Sequence, residues 1–151
     1  GAVELGCGLG LPAMVAAQHG ARALATDVDP RSVALAARAA PQNLRPSALA
    51  RFAARALDFR DAGAVSAIGP YQIILVAGQL YSRALDDALL VALRLLCLRG
   101  CIVMLTFWGA FGGLNVIPFQ WDFLTRMMLE FQLFDAFDCS ARGYLPPKSN
   151  F

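Results

Sequence analysis

The sequence predicts an α/β fold, a doubly wound, mostly parallel sheet with helices on both faces. Three observations predict it. The chain opens on Val3-Glu4-Leu5-Gly6-Cys7-Gly8-Leu9-Gly10-Leu11-Pro12-Ala13, the end of a strand, a glycine-rich turn and the first turn of a helix. A second apolar run, Ala21 to Asp27, leads into Asp29-Pro30, an N-cap followed by proline at the first helical position. Ile73, Ile74, Leu75 and Val76 follow one another without a polar residue, as in a parallel strand buried on both faces.

Taken in order, the first strand ends near Leu5 and a helix runs from Pro12 to about His19, stopped by Gly20 where helices favour glycine. His19, the only histidine, reads at that helix end as a surface residue or dipole partner. The helix after Asp29 extends to about Ala40, where Pro41 prevents its continuation. Residues 48–57 suit a helix as well as a strand, and the alternation of elements requires a strand over Phe52 to Leu57. Tyr71 to Ala77 is the fourth strand. In a doubly wound sheet the residues beyond it, Ala77 to Ser82, border the substrate. A helix over Arg83 to Leu98 places Leu85, Leu89, Leu93 and Leu96 on one face, with Asp86 and Asp87 near its start. Arg94 and Arg99 lie near its end, before Gly100. Cys101 to Phe107 reads as the fifth strand, Gln120 to Glu130 as a further helix and Leu133 to Phe137 as a sixth strand.

A chain of 151 residues is one domain with room for a sizeable core, and its opening inside a strand reads as a fragment's start. The net charge of +2, with Lys148 the only lysine and no basic stripe, argues against nucleic acid as a partner. Cys7, Cys97, Cys101 and Cys139 form no C-x-x-C pair, so no metal site is expected; they read as thiols of an intracellular, cytoplasmic protein. The apolar fraction of 58% is high, and no charged residue occurs from Gly100 to Trp121. Gly109, Gly112, Gly113, Asn115 and Pro118 break that stretch, which favours a buried strand over membrane insertion.

Glycines two apart let the backbone approach a ligand with no Cβ in the way, and the following helix aims unpaired N–H groups at it. Two ligand classes fit the turn. Gly8-Leu9-Gly10-Leu11-Pro12-Ala13 satisfies the dinucleotide pattern G-x-G-x-x-A, with Asp27 at the distance of a ribose-binding acid. A nicotinamide enzyme built on it would need a substrate domain, which is not evident. A turn serving only strand–helix packing is the remaining reading.

The longer string Glu4-x-Gly6-x-Gly8-x-Gly10 resembles the class I, seven-strand S-adenosylmethionine-dependent methyltransferases, whose fold is Rossmann-like. The resemblance implies S-adenosyl-L-methionine as cofactor, bound by Glu4, Gly6, Cys7, Gly8, Gly10, Asp27, Val28, Asp58, Phe59 and Ala77. Asp27 would hold the ribose, and Asp58 with Phe59 would frame the adenine; Asp58 could equally cap the next turn. Tyr71-Gln72-Ile73-Ile74-Leu75-Val76-Ala77-Gly78-Gln79-Leu80-Tyr81 is similar to the segment carrying an Asp-x-x-Tyr motif in a group of mainly protein-lysine methyltransferases. That group includes the enzymes acting on electron-transfer flavoprotein and valosin-containing protein, and the likeness covers about Val3 to Phe107. It implies a protein substrate, lysine favoured, with Tyr81 lining the acceptor site; an aromatic packed at a helix start is the other reading of Tyr81. Gly78 replaces the motif's aspartate and Gln72 replaces the acid usual at the start of the fourth strand. A degenerate cofactor-binding or interaction domain is the alternative function.

Overall fold

The computed structural model describes residues 1–79, 83–106, 122–123 and 125–127. The chain divides into two compact units, Gly1–Phe107 and Trp108–Phe151. The first unit runs β1 (Ala2–Leu5), α1 (Leu11–Gln18), β2 (Ala23–Asp27), α2 (Pro30–Asn43), α3 (Pro46–Leu49), β3 (Phe52–Ala56), α4 (Ala62–Ala67), β4 (Tyr71–Ala77), α5 (Arg83–Leu96), β5 (Cys97–Thr106). Every strand pair is parallel, in the order β3-β2-β1-β4-β5. Helices lie on both faces, as the sequence predicts. In the second unit, 122–123 and 125–127 are helical, with Phe123 and Met127 buried. The predicted sixth strand at Leu133 to Phe137 lies outside the described residues.

The sheet order creates the site. The chain winds outward from β1 through β2 to β3, then returns to place β4 on the other side of β1. The crevice above the carboxyl ends of β1 and β4 is the topological switch point, where such sheets bind ligands. Backbone bonds beyond the strand ends hold the rim level: Cys7 N–H to Thr26 O (2.8 Å), Leu57 N–H to Asp27 O (2.9 Å) and Gly78 N–H to Thr106 O (2.8 Å).

The two faces differ in side-chain size. Ala2, Cys7, Ala13, Met14, Ala17, Ala23, Ala25, Ala36 and Ala40 form one core, in which alanine lets α1 and α2 lie close to the sheet. Val3, Leu5, Ile74 and Val76 point the other way by the two-residue alternation, toward the side of the buried Leu89, Leu90, Leu93 and Leu96 of α5. Gly10 belongs to the tight side. It has φ +73°, and a Cβ there would stand 3.0 Å from Ala36 Cβ and 3.5 Å from Ala25 Cβ. Gly10→Ala is expected to lower stability by about 1–2 kcal/mol from the left-handed backbone alone, with the displacement of Ala36 in addition. Urea unfolding checks this, and a loss below about 0.5 kcal/mol would contradict the packing argument.

Several boundaries differ from those predicted. α2 passes through Pro41 to Asn43, because proline in the last turn forgoes one bond while Leu44 N–H still reaches Ala40 O (2.9 Å). Leu11, not Pro12, opens α1. α5 ends at Leu96, and β5 starts at Cys97 rather than Cys101. Leu98 and Arg99 thus belong to the strand, where β5 pairs Cys97 with Tyr71 and then Ile102 with Ile73 across an irregularity. The short α3 and α4 were not foreseen. α4 starts at the N-cap Asp61, whose Oδ1 accepts from Ala64 N–H (3.0 Å).

Candidate functional site

At the switch point lies a cleft of about 250 Å³, lined by Gly6, Asp27, Val28, Asp58, Phe59, Arg60, Gln79 and Leu85. Five of these are residues the glycine turn and its likeness single out: Gly6, Asp27, Val28, Asp58 and Phe59. They come from three separate strand ends, which the shared rim level brings to one crevice.

Asp27 ends β2 and organises the turn. Its Oδ2 accepts from Gly8 N–H (2.9 Å) and its Oδ1 from Asp29 N–H (2.9 Å). Each carboxylate oxygen has a second lone pair, so acceptor capacity remains on the cleft side. Glu4 lies behind the turn and is 1% exposed. Its Oε2 accepts from Ala13 N–H (2.9 Å), giving the start of α1 the cap that Gly10, with no side chain, cannot. Burial pushes the Glu4 carboxyl up to about 7 against the Ala13 bond, and the Asp27 carboxylate adds to the rise. Cys7 is buried beside them, its thiol raised to about 12 by burial and then by Glu4 and Asp27. Alkylation with iodoacetamide at pH 8 should therefore spare Cys7 in the folded protein and label it in urea; equal rates would refute this.

The turn uses its own N–H groups. Cys7 N–H donates to Thr26 O (2.8 Å), Gly8 N–H to Asp27, Gly10 N–H to Cys7 O (2.7 Å) and Ala13 N–H to Glu4. In front of Gly8 there is open space: a Cβ there would meet nothing within 4 Å. Glu4, Cys7, Gly8, Gly10 and Ala77 do not line the cleft; Glu4 and Cys7 are buried behind the turn, and Gly10 packs against Ala36 and Ala25.

Asp58 caps the next turn and lines the cleft. Its Oδ1 accepts from Arg60 N–H (2.9 Å), the local cap, and its carboxylate pairs with the Arg60 guanidinium (Nη2 to Oδ2 2.6 Å). That guanidinium holds the Asp58 carboxyl below the usual carboxylate range. It still lines the cleft beside Phe59. Asp29 and Arg31 repeat the same arrangement, so Asp-x-Arg was the sequence signal for Arg60.

Sequence reasoning missed Gln79 as an individual residue, although it lies in the stretch expected to border the substrate. Its Nε2 donates to Gly6 O (3.0 Å) and Ala77 O (3.4 Å). A side chain at position 6 would collide with the Gln79 amide, so Gly6, at φ +67°, makes room for it. The Ala77 carbonyl accepts from Gln79. Tyr81 lies outside the described residues. Among the described residues no group of three or more His, Cys, Asp or Glu side chains could hold a metal ion, and no helix is long and apolar enough to cross a membrane.

Residues 3–69 match the methyltransferase-domain family. No curated protein sequence matches the chain. Among solved structures, precorrin 8W decarboxylase from Methanobacterium thermoautotrophicum is similar over 96% of this chain and 74% of its own, at 17% identity and TM-score 0.59. A TehB-like S-adenosylmethionine-dependent methyltransferase from Corynebacterium glutamicum is similar over 83% of this chain and 62% of its own (21% identity, TM-score 0.55). Magnesium protoporphyrin IX methyltransferase from Synechocystis, crystallised with S-adenosylhomocysteine, is similar over 63% of this chain (19% identity, TM-score 0.50). The chain spans 42% of that enzyme's length. At such identities these likenesses establish the fold.

Proposed function

We propose that the cleft binds S-adenosylmethionine and that the chain is the cofactor-binding core of a methyltransferase. The observation that carries this reading is the charge and hydrogen bonding of the glycine turn. A dinucleotide's pyrophosphate needs free N–H donors and a positive field at the helix start. Here the N–H groups of Cys7, Gly8, Gly10 and Ala13 are engaged, two of them by the carboxylates of Asp27 and Glu4, which leaves Leu9 and Leu11 as the turn's remaining donors. An acid pair under the turn opposes an anion and suits a ligand with a sulfonium and an ammonium. The match of residues 3–69 and the ligand-bearing structural neighbours support the same choice.

When bound, the cofactor supplies a methyl group on a sulfonium, which departs as a neutral thioether. The chain's part is binding and orientation. Asp27 accepts from the ribose hydroxyls, Val28 and Phe59 border the nucleoside, and Asp58 accepts from the adenine amino group. For the acceptor we favour a protein side chain, lysine by the likeness of 71–81, with Tyr81 at its border. Gly78 leaves that border without the motif's carboxylate, which favours a second reading, a cofactor-binding domain without transfer activity.

Calorimetric titration with S-adenosylhomocysteine, with NADH in parallel, tests the cofactor. Saturable binding of the first ligand alone is the expected result; NADH binding alone, or neither, would overturn it. Label transfer from methyl-labelled S-adenosylmethionine into lysine-containing peptides then separates the two acceptor readings. Transfer to a porphyrin in place of peptide would replace the protein substrate with a small molecule.

A further inference from the structure

We propose that Gln79 is a built-in plug: its carboxamide occupies the corner of the cleft that takes the primary ammonium of the nucleoside ligand, and binding must displace it. This rests on the reading of the cleft given above. The corner is made by two main-chain carbonyls, Gly6 O and Ala77 O, at the carboxyl ends of β1 and β4, which are paired up to Leu5 and Val76. Both carbonyls accept from one nitrogen, Gln79 Nε2, at 3.0 and 3.4 Å. Two acceptors converging on one N–H-bearing nitrogen are a site for an amine. In the described structure a neutral amide fills it.

An ammonium would fill it better. It brings a third N–H and a full charge, and hydrogen bonds from charged donors are roughly twice as strong as neutral ones. The surroundings add to that difference, since Asp27 acts on the neighbouring Cys7 thiol as a negative charge. Asp27 shares the cleft with Gln79, and the only cleft-lining cation among the described residues, Arg60, is paired to Asp58. The amide gains nothing from this field, whereas a cation does.

The backbone explains why the plug exists in this chain. Gly78 has φ +70°, a conformation open to glycine and costly for an aspartate. With Gly78 N–H held by Thr106 O, that turn carries Gln79 back across the end of β1. Gly6, having no side chain, lets the amide lie on its α-carbon. The departure from Asp-x-x-Tyr and the presence of the plug are then one feature.

The test compares two thioether nucleosides on the wild type and on Gln79→Ala. S-adenosylhomocysteine carries the amino-acid end, and 5′-methylthioadenosine lacks it. Removing the plug spares the ligand the loss of the amide's hydrogen bonds. Calorimetry should find S-adenosylhomocysteine tightened by about 3–10-fold in Gln79→Ala, with methylthioadenosine changed less than about twofold. Unchanged methylthioadenosine binding also certifies that the variant is folded. Weaker or unchanged S-adenosylhomocysteine binding in a variant that keeps methylthioadenosine would overturn the plug and leave the cofactor reading intact. A wild type that binds neither nucleoside overturns the cofactor reading, and the plug with it.

Discussion

Asp27→Ala should lower the affinity for S-adenosylhomocysteine by about 100-fold or more. Hydrogen bonds to a charged acceptor are worth about 1.5–3 kcal/mol each, and a ribose offers two hydroxyls. The same substitution strips Gly8 N–H and Asp29 N–H of their acceptor, so the turn loses its support together with its ligand contact. A folding cost of about 1–3 kcal/mol is expected beside the binding loss. Asp27→Asn separates the two. It keeps one carbonyl oxygen for a backbone donor but presents an NH₂ at the other position, so stability should recover in part while binding stays weak. Calorimetry with urea unfolding on both variants checks this. If Asp27→Ala binds within threefold of wild type, Asp27 is a structural brace and no ribose acceptor.

Glu4→Gln should stabilise the protein at pH 8 and remove a pH dependence that the wild type shows. The folded-state Glu4 carboxyl is raised to about 7 from an ordinary 4.5. Protonated Glu4 therefore favours the folded state: its contribution is fully present below about pH 4.5 and is lost as pH rises through 7. The gap corresponds to roughly 3 kcal/mol for this group. Glutamine is nearly isosteric, keeps an oxygen for Ala13 N–H and carries no charge beside Asp27. Urea unfolding at pH 5 and pH 8 is expected to show wild type losing stability relative to Glu4→Gln by roughly that amount. Parallel behaviour of the two proteins would mean that Glu4 ionises in the fold without penalty.

The two predictions concern residues on opposite sides of one turn. Asp27 faces the cleft and Glu4 lies behind it, though the family likeness implies cofactor binding for both. Both have the parity of the alanine-lined face, Glu4 two residues beyond Ala2 and Asp27 two beyond Ala25; the difference follows from position along the strand, since Glu4 lies inside β1 under α1 and Asp27 is the last residue of β2, at the rim.

The sequence by itself determined the class of fold, the glycine turn and the acid at the end of the second strand. These are written locally, in the apolar run of 73–76, in glycines that alone tolerate the turn's φ values, and in Asp29-Pro30 as a helix start. Tertiary structure alone decided which residues meet. Whether α2 stops at Pro41 depended on bonds that bypass the proline, and where β5 begins depended on its register with β4. Arg60 reached the cleft through its pairing with Asp58, and Gln79 crossed to Gly6 over 73 residues of chain because Gly78 turns left-handed. A contact of that separation has no local signature. It exists only once the sheet has set β4 beside β1.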